Sequence, residues 1–243
     1  MLRLKDLTYT VPANESGTAV NRILDGISLD IPDGSYIVVT GPNGGGKTTL
    51  AKAIMGIVQP DSGKITLDGL DITNLGVTER SEAGISYGFQ QPPRFKGLTV
   101  RDLLSIAAKR KLKRDECCRY LTKVGLCAEE YLNREVDTSL SGGEVKRIEI
   151  ATVLAKGSKI MIFDEPEAGI DLWSFHRLTK TFRELHESSG CTLIIISHQE
   201  RIISQADEVL LIADGKLDKR GKPEDILPSI DAVFDKPCLT END

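Results

Sequence analysis

Gly41-Pro42-Asn43-Gly44-Gly45-Gly46-Lys47-Thr48 is the stretch from which the rest of the chain can be read. It matches G-x-x-x-x-G-K-[ST]. Its flanks are those the motif requires: Tyr36-Ile37-Val38-Val39 reads as a buried strand before it, and Thr49-Leu50-Ala51-Lys52-Ala53-Ile54 continues as a helix. Glycines let the backbone wrap closely around a phosphate with its N–H groups pointing inward, and the following helix presents its positive end. In such a loop Lys47 reaches the β- and γ-phosphates of a nucleotide, and the Thr48 hydroxyl ligates Mg²⁺. A chance glycine turn would need neither the strand nor the helix.

Two further apolar runs are strand-sized, Ile160-Met161-Ile162-Phe163 and Leu193-Ile194-Ile195-Ile196, and each is followed by polar residues and a helical pattern. Continuous apolar strands alternating with helices predict an α/β fold with a parallel sheet covered on both faces. The first of these runs ends in Asp164-Glu165. Alone it is a strand entering a charged loop. Beside a phosphate loop, Asp164 can hold the Mg²⁺ hydration shell next to Thr48, and Glu165 can orient and deprotonate an attacking water. His198 follows the other run, and Gln90 ends the short segment Ile85-Ser86-Tyr87-Gly88-Phe89. Either is unremarkable in isolation. At strand ends of the same sheet, His198 could contact the γ-phosphate and Gln90 could sense Mg²⁺ and water.

Leu140-Ser141-Gly142-Gly143-Glu144 opens a helix whose apolar face runs through Ile148, Ala151 and Leu154. Ser141 and Glu144 form an S-x-x-E capping box. Two glycines just inside the cap cost about 1 kcal/mol each relative to alanine. Bare amides and a serine hydroxyl at a helix N-terminus make a second anion cradle. One chain already has a full phosphate loop, so this cradle makes most sense facing the γ-phosphate held by another copy.

The first third reads as β-rich. Leu2, Leu4 and Leu7 mark an opening strand, residues 14 to 18 a loop, and Ile27 to Ile31 a second strand. Asp68-Gly69 and Asp214-Gly215 sit between apolar runs as hairpin turns. Residues 99 to 136 have helical composition and interrupt the strand-bearing blocks; the tail after Gly221 is weakly patterned.

The chain has 243 residues, 40% hydrophobic and 28% charged, with net charge −5. That suits one globular domain with a small insert and excludes a nucleic-acid coat, which needs clustered Lys and Arg. The basic run Lys109-Arg110-Lys111-Leu112-Lys113-Arg114 reads as a solvated helix face. The N-terminus lacks a signal-like apolar core and no apolar stretch reaches the ~20 residues of a membrane helix, which predicts a cytoplasmic protein without direct membrane insertion. Five cysteines form no C-x-x-C pair and read as reduced thiols; Cys117 and Cys118, adjacent on a helix, point about 100° apart and suit metal chelation poorly.

The phosphate loop, Gln90, Leu140 to Glu144, Asp164-Glu165, Asp171 and His198, in this order over residues 1 to 220, resemble the ABC ATPase family. The resemblance implies one ABC ATPase domain over 1–243: a P-loop core, an N-terminal antiparallel β subdomain, a helical insert at 92–138 and a tail at 221–243. It implies Mg²⁺-dependent hydrolysis of ATP in a head-to-tail, ATP-dependent homodimer. Gly41, Pro42, Asn43, Gly44, Gly45, Gly46, Lys47, Thr48 and Thr49 would hold the nucleotide, with Tyr9 stacking on adenine. Thr48, Gln90 and Asp164 would serve the metal, and Glu165, Gln90 and His198 the catalysis. Ser141, Gly142, Gly143 and Glu144 would meet the other copy's γ-phosphate, and Asp171 would cross the dimer.

Within the family, Gly143-Glu144-Val145-Lys146-Arg147, Gly169-Ile170-Asp171, His198-Gln199-Glu200-Arg201-Ile202 and Phe89-Gln90-Gln91-Pro92 resemble the SufC ATPases of the SUF iron–sulfur cluster assembly system. Pro166 after the glutamate and a shorter insert depart from that pattern. This resemblance implies a soluble SufB/SufD-type scaffold as partner, docked on the insert. The alternative is the nucleotide-binding subunit of an ABC transporter, in which the same surface grips a separate permease chain.

Overall fold

Leucines at alternate positions start the chain in a strand, and a computed structural model shows what the strand joins. It describes residues 1–13 and 20–234, with 229–234 by backbone alone; the loop expected at 14 to 18 lies outside the described residues. β1 (Leu2–Pro12) and β2 (Val20–Ile31) pair antiparallel, Leu2 opposite Ile31. β3 (Tyr36–Thr40) then enters the phosphate loop, which leads into α1 (Lys47–Met55). β4 (Ser62–Leu67) and β5 (Leu70–Asp71) form the expected hairpin around Asp68-Gly69, and β4 pairs with β1 to complete a four-stranded antiparallel sheet, β2-β1-β4-β5.

α2 (Val77–Glu82) follows, and its Arg80 is fully buried. The Arg80 guanidinium donates to the carbonyls of Ala53, Ile54, Thr73 and Leu75, closing the C-terminal end of the phosphate-loop helix. Capping those orphan carbonyls fixes the helix that carries Lys47 and Thr48. β6 (Ile85–Gly88) comes next.

The insert contains β7 (Phe95–Thr99), α3 (Val100–Ala107), α4 (Arg114–Lys123), α5 (Ala128–Tyr131) and β8 (Glu135–Val136). Its ends, read as helical from composition, pair instead as an antiparallel ribbon, with Phe95 opposite Val136. The basic run is not a helix face. Lys109 takes φ 53° after α3 ends, Leu112 is buried, and Lys109, Arg110, Lys111 and Lys113 lie in the exposed connection before α4, which Arg114 opens.

α6 (Gly142–Lys156), β9 (Ile160–Asp164), α7 (Leu172–Ser189), β10 (Thr192–Ile196), α8 (Glu200–Ile203), β11 (Glu208–Ala213) and β12 (Lys216–Gly221) complete the core. The weakly patterned tail carries α9 (Pro223–Phe234). The large sheet runs β12-β11-β3-β10-β9-β6. The three apolar runs are its adjacent central strands β3, β10 and β9, parallel and buried along their whole lengths, as continuous apolar sequence requires. One face packs on α6, α7 and the insert; the other packs on α1 and the antiparallel sheet.

Register places the chemistry. Ile196 lies opposite both Val39 and Asp164, and Gly88 opposite Phe163. The carboxyl ends of β3, β6, β9 and β10 therefore open on one edge, where α/β sheets bind ligands.

Candidate ATP site

At that edge the phosphate loop is packed too tightly for any side chain but glycine at its first position. Gly41 has φ 136°, and a Cβ there would stand 2.0 Å from the Ile212 carbonyl oxygen. The Gly215 amide donates to the Gly45 carbonyl at 3.1 Å, so the β11–β12 turn backs the loop. Lys47, 6% exposed, folds back and donates to the Gly41 and Pro42 carbonyls, each at 2.8 Å. Burial lowers its pKa, opposed by the charges of Glu165 and Asp164. It is a cation held inside a ring of acceptors, ready to exchange carbonyls for phosphate oxygens.

Thr48 donates its hydroxyl to Asp164 Oδ1 at 3.1 Å. The Tyr87 hydroxyl donates to Asp164 Oδ2 at 2.8 Å. Burial raises the Asp164 pKa while both hydrogen bonds pull it down. Tyr87 was not singled out from sequence; it stands on β6, three residues before Gln90, and orients the carboxylate. Among the described residues no group of three His, Cys, Asp or Glu side chains could enclose a metal. The Thr48–Asp164 pair fits a magnesium ion whose shell is completed by phosphate and water, the usual manner for that ion.

Glu165 takes φ 45°, a left-handed conformation costing a non-glycine residue on the order of 1–3 kcal/mol and found most often at functional sites. Its amide donates to the Ile196 carbonyl at 3.0 Å, and its Oε2 accepts from Gln90 Nε2 at 2.7 Å. His198 lies at the same edge. Its pKa is lowered by burial and by the Lys47 charge, with Glu165 opposing, so the imidazole is neutral at pH 7. Ile23, Asn43, Gly44, Gly46, Lys47, Thr48, Thr49, Gln90 and Glu165 line one cleft of about 360 Å³. Ile23 of β2 stands at the cleft wall, and the Tyr9 ring, half-buried, packs against the core beneath the antiparallel sheet.

The signature turn lies apart. Ser141 caps α6, accepting from the Glu144 amide at 3.3 Å, while Glu144 Oε2 accepts from the Ser141 amide at 2.7 Å. Glu144 also accepts from the Tyr131 hydroxyl, so its carboxylate is committed to its own chain, and that bond draws its pKa down to about 2. The two glycines differ. A Cβ on Gly142 would meet nothing within 4 Å, whereas one on Gly143 would stand 2.5 Å from the Gly169 carbonyl oxygen. Gly143 thus lets α6 approach the loop after Glu165. Asp171 accepts from the amides of Trp173 and Ser174 at 3.1 and 3.0 Å, capping α7, and Leu172 and Trp173 beside it are exposed.

Sequence reasoning missed Lys146, which is 2% exposed. Its ammonium donates to the carbonyls of Phe89, Gln90 (3.4 Å) and Asp164 (3.1 Å), joining α6 to the Gln90 segment and to the end of β9. A signal existed. Lys146, Ile150 and Val153 share one helical line whose other members are buried apolar residues.

The chain matches the family model described as ABC transporter over residues 24–168. It is 39% identical over 212 residues to an uncharacterized ABC transporter ATP-binding protein of Methanocaldococcus jannaschii, covering 84% of each chain. It is 34% identical to an energy-coupling factor transporter ATP-binding protein of Mycoplasmopsis pulmonis, covering 96% of this chain and 87% of that one. A solved dimeric ATP-binding cassette in a post-hydrolysis state, bound to ADP and phosphate, superposes with TM-score 0.83 over 92% of this chain and 99% of its own, at 24% identity. The chain belongs to the ABC transporter family, and it is an ATP-hydrolysing cassette.

These relatives correct the expectation of a SUF-type role. They are named as transporter ATP-binding proteins, so the iron–sulfur assembly function and the SufB/SufD-type partner are set aside. The motif departures that suggested them have local structural uses here: Lys146 ties three carbonyls together and Glu144 closes a capping box. Cys117, Cys118, Cys127 and Cys191 are free thiols, and Cys238 lies outside the described residues.

Proposed function

We propose that this chain is the ATP-hydrolysing subunit of an ABC transporter whose membrane-crossing part is a separate permease. Among the described residues no helix is long and apolar enough to cross a membrane. In this reading the chain works at the cytoplasmic face, held there by its partner. The observation that carries it is the Gln90–Glu165 hydrogen bond of 2.7 Å, which joins the residue leading into the insert to the side chain best placed to handle water. Movement of the insert against the core then makes or breaks the catalytic contact.

Lys47 and the loop amides would hold the β- and γ-phosphates, and Thr48 and Asp164 would hold magnesium. The ion, when bound, neutralises charge on the phosphate oxygens. Glu165 accepts a proton from the attacking water, Gln90 orients the Glu165 carboxylate, and neutral His198 donates toward the γ-phosphate. The Ser141 turn, exposed and not part of its own chain's cleft lining, serves the ATP of a second copy, with Asp171 contributing to the same interface. The partner surface is the insert from Gln91 to Asp137.

Purification of the tagged chain from its native membranes in mild detergent with ATP tests the assignment. A stoichiometric polytopic membrane protein is expected. Recovery with a soluble scaffold and no membrane protein would overturn it.

A further inference from the structure

Glu165 and His198 reach the ATP cleft from adjacent strands, β9 and β10. Backbone joins the two segments as far as the Glu165 amide, which donates to the Ile196 carbonyl. Past that point a side chain takes over. Glu167, two residues after Glu165, turns back toward β10, and its Oε1 accepts from the Ser197 hydroxyl at 2.6 Å. That is the length of a charge-assisted O–H···O bond.

Ser197 is fully buried, and its oxygen also accepts the Gln199 amide at 3.0 Å, closing a turn with His198 at its centre. The Ser197 amide donates to the Val39 carbonyl of β3 at 3.2 Å. On the other side, Glu167 belongs to a turn tied to Glu165: the Ala168 amide donates to the Glu165 carbonyl and the Ile170 amide to the Glu167 carbonyl, each at 3.1 Å. Glu167 therefore spans from the turn that carries Glu165 to the turn that carries His198.

For stability alone a carboxylate is a poor choice here. Its Oε2 is buried and, among the described residues, accepts no hydrogen bond. Burial raises its pKa and the Ser197 bond opposes this, while Glu165 repels the charge and Lys146 attracts it. A buried charge with one oxygen unpaired destabilises a fold. What it supplies is a short, directional bond to the serine, about twice as strong as a neutral acceptor would make.

We infer that Glu167 is a positioning residue for ATP hydrolysis: through Ser197 it holds the His198 turn against the Glu165 turn, so that the base and the γ-phosphate contact are set together. The inference rests on the roles given above to Glu165 and His198. Glu167 touches neither nucleotide nor water in this account; it acts on the two residues that do.

The test measures ATP hydrolysis by the full chain, with kcat and KM separated and single turnovers used for the slowest variants. Glu167→Ala should lower kcat about tenfold and leave KM within about twofold. Ser197→Ala should match it, and the double variant should be no slower than either single one. Glu167→Gln keeps a neutral acceptor and should recover to within about threefold of wild type. In a His198→Ala background, Glu167→Ala should cost less than about a further twofold. Should Glu167→Ala fail to fold in urea titration, Ser197→Ala with and without His198→Ala carries the same comparison. Losses that multiply in either double variant, or Glu167→Gln as slow as Glu167→Ala, would overturn the inference. So would a raised KM at unchanged kcat, which belongs to nucleotide binding. A slow His198→Ala beside a fully active Glu167→Ala would overturn the inference alone, whereas a fully active His198→Ala would remove His198 from the catalysis and the inference with it.

Discussion

The phosphate loop and the Ser141 turn are both anion cradles at helix N-termini, and they differ in what surrounds them. The phosphate loop is backed by the β11–β12 turn, its helix is closed by Arg80, and its lysine is buried against two carbonyls. It needs only a ligand. Ser141 and Gly142 are exposed, and the Ser141 amide and hydroxyl meet Glu144 of the same helix. A cradle that its own chain leaves facing outward is half of a site. In the proposed reading one half is preorganised to bind ATP alone, and the other gains value only when a second copy brings the phosphate to it.

The comparison can be broken most visibly at its centre. Glu165→Gln should lower steady-state phosphate release by about 100-fold or more, the scale of general-base catalysis, while ATP still binds. Substantial residual turnover would remove Glu165 from that role. Next, Lys47→Ala should weaken ATP binding to the isolated chain by about tenfold or more through loss of charge-assisted contacts, whereas Ser141→Ala should leave that affinity unchanged and lower turnover. Isothermal titration separates the two, and equal losses of affinity would place both cradles on the same nucleotide.

The two signature glycines sharpen the contrast further. Gly143→Ala forces a methyl to 2.5 Å from a carbonyl oxygen and should cost about 1–3 kcal/mol in urea unfolding. Gly142→Ala has open space and should be neutral or slightly stabilising. Matching effects would contradict the packing assigned to Gly143.

The smallest effect concerns pH. Burial pushes the Glu149 carboxyl up to about 7 in the folded chain, from about 4.5 for an ordinary glutamate, outweighing the Phe89 amide and Lys146, with Asp164 adding repulsion. Between these values the native state binds more protons than the unfolded chain, so stability falls as pH rises from about 4.5 to 7. Glu149→Gln should flatten the stability profile in that window. An unchanged slope would mean that Glu149 is ionised throughout.

The sequence made the first cradle plain because its function is written in local spacing. Strand, glycine loop, lysine and helix are contiguous, and the pairing of Asp164 with Thr48 followed once the parallel sheet was inferred. Less local features escaped. Tyr87 meets Asp164 only through strand register, Lys146 reaches its three carbonyls only after α6 crosses the sheet, and Glu149 became notable only when the fold buried it. The strands Phe95–Thr99 and Glu135–Val136 were hidden because two short segments far apart in sequence gain strand character only by pairing with each other. Partner choice was misread for a related reason. Residues such as Glu144 and Lys146 serve internal contacts, so they carry little information about what docks outside.

The central claim is that each ATP site is completed by the signature turn of a second copy, and mixing two inactive variants tests it most directly. Lys47→Ala disables a chain's phosphate loop and Ser141→Arg its signature turn, so neither protein alone should hydrolyse ATP at an appreciable rate. In a mixed dimer one composite site would pair an intact phosphate loop with an intact signature turn. Equal mixing should therefore restore roughly a quarter of wild-type turnover, as random pairing in a two-fold dimer requires. If the mixture shows no more activity than the average of the two variants, the sites are not shared between copies and the account is wrong.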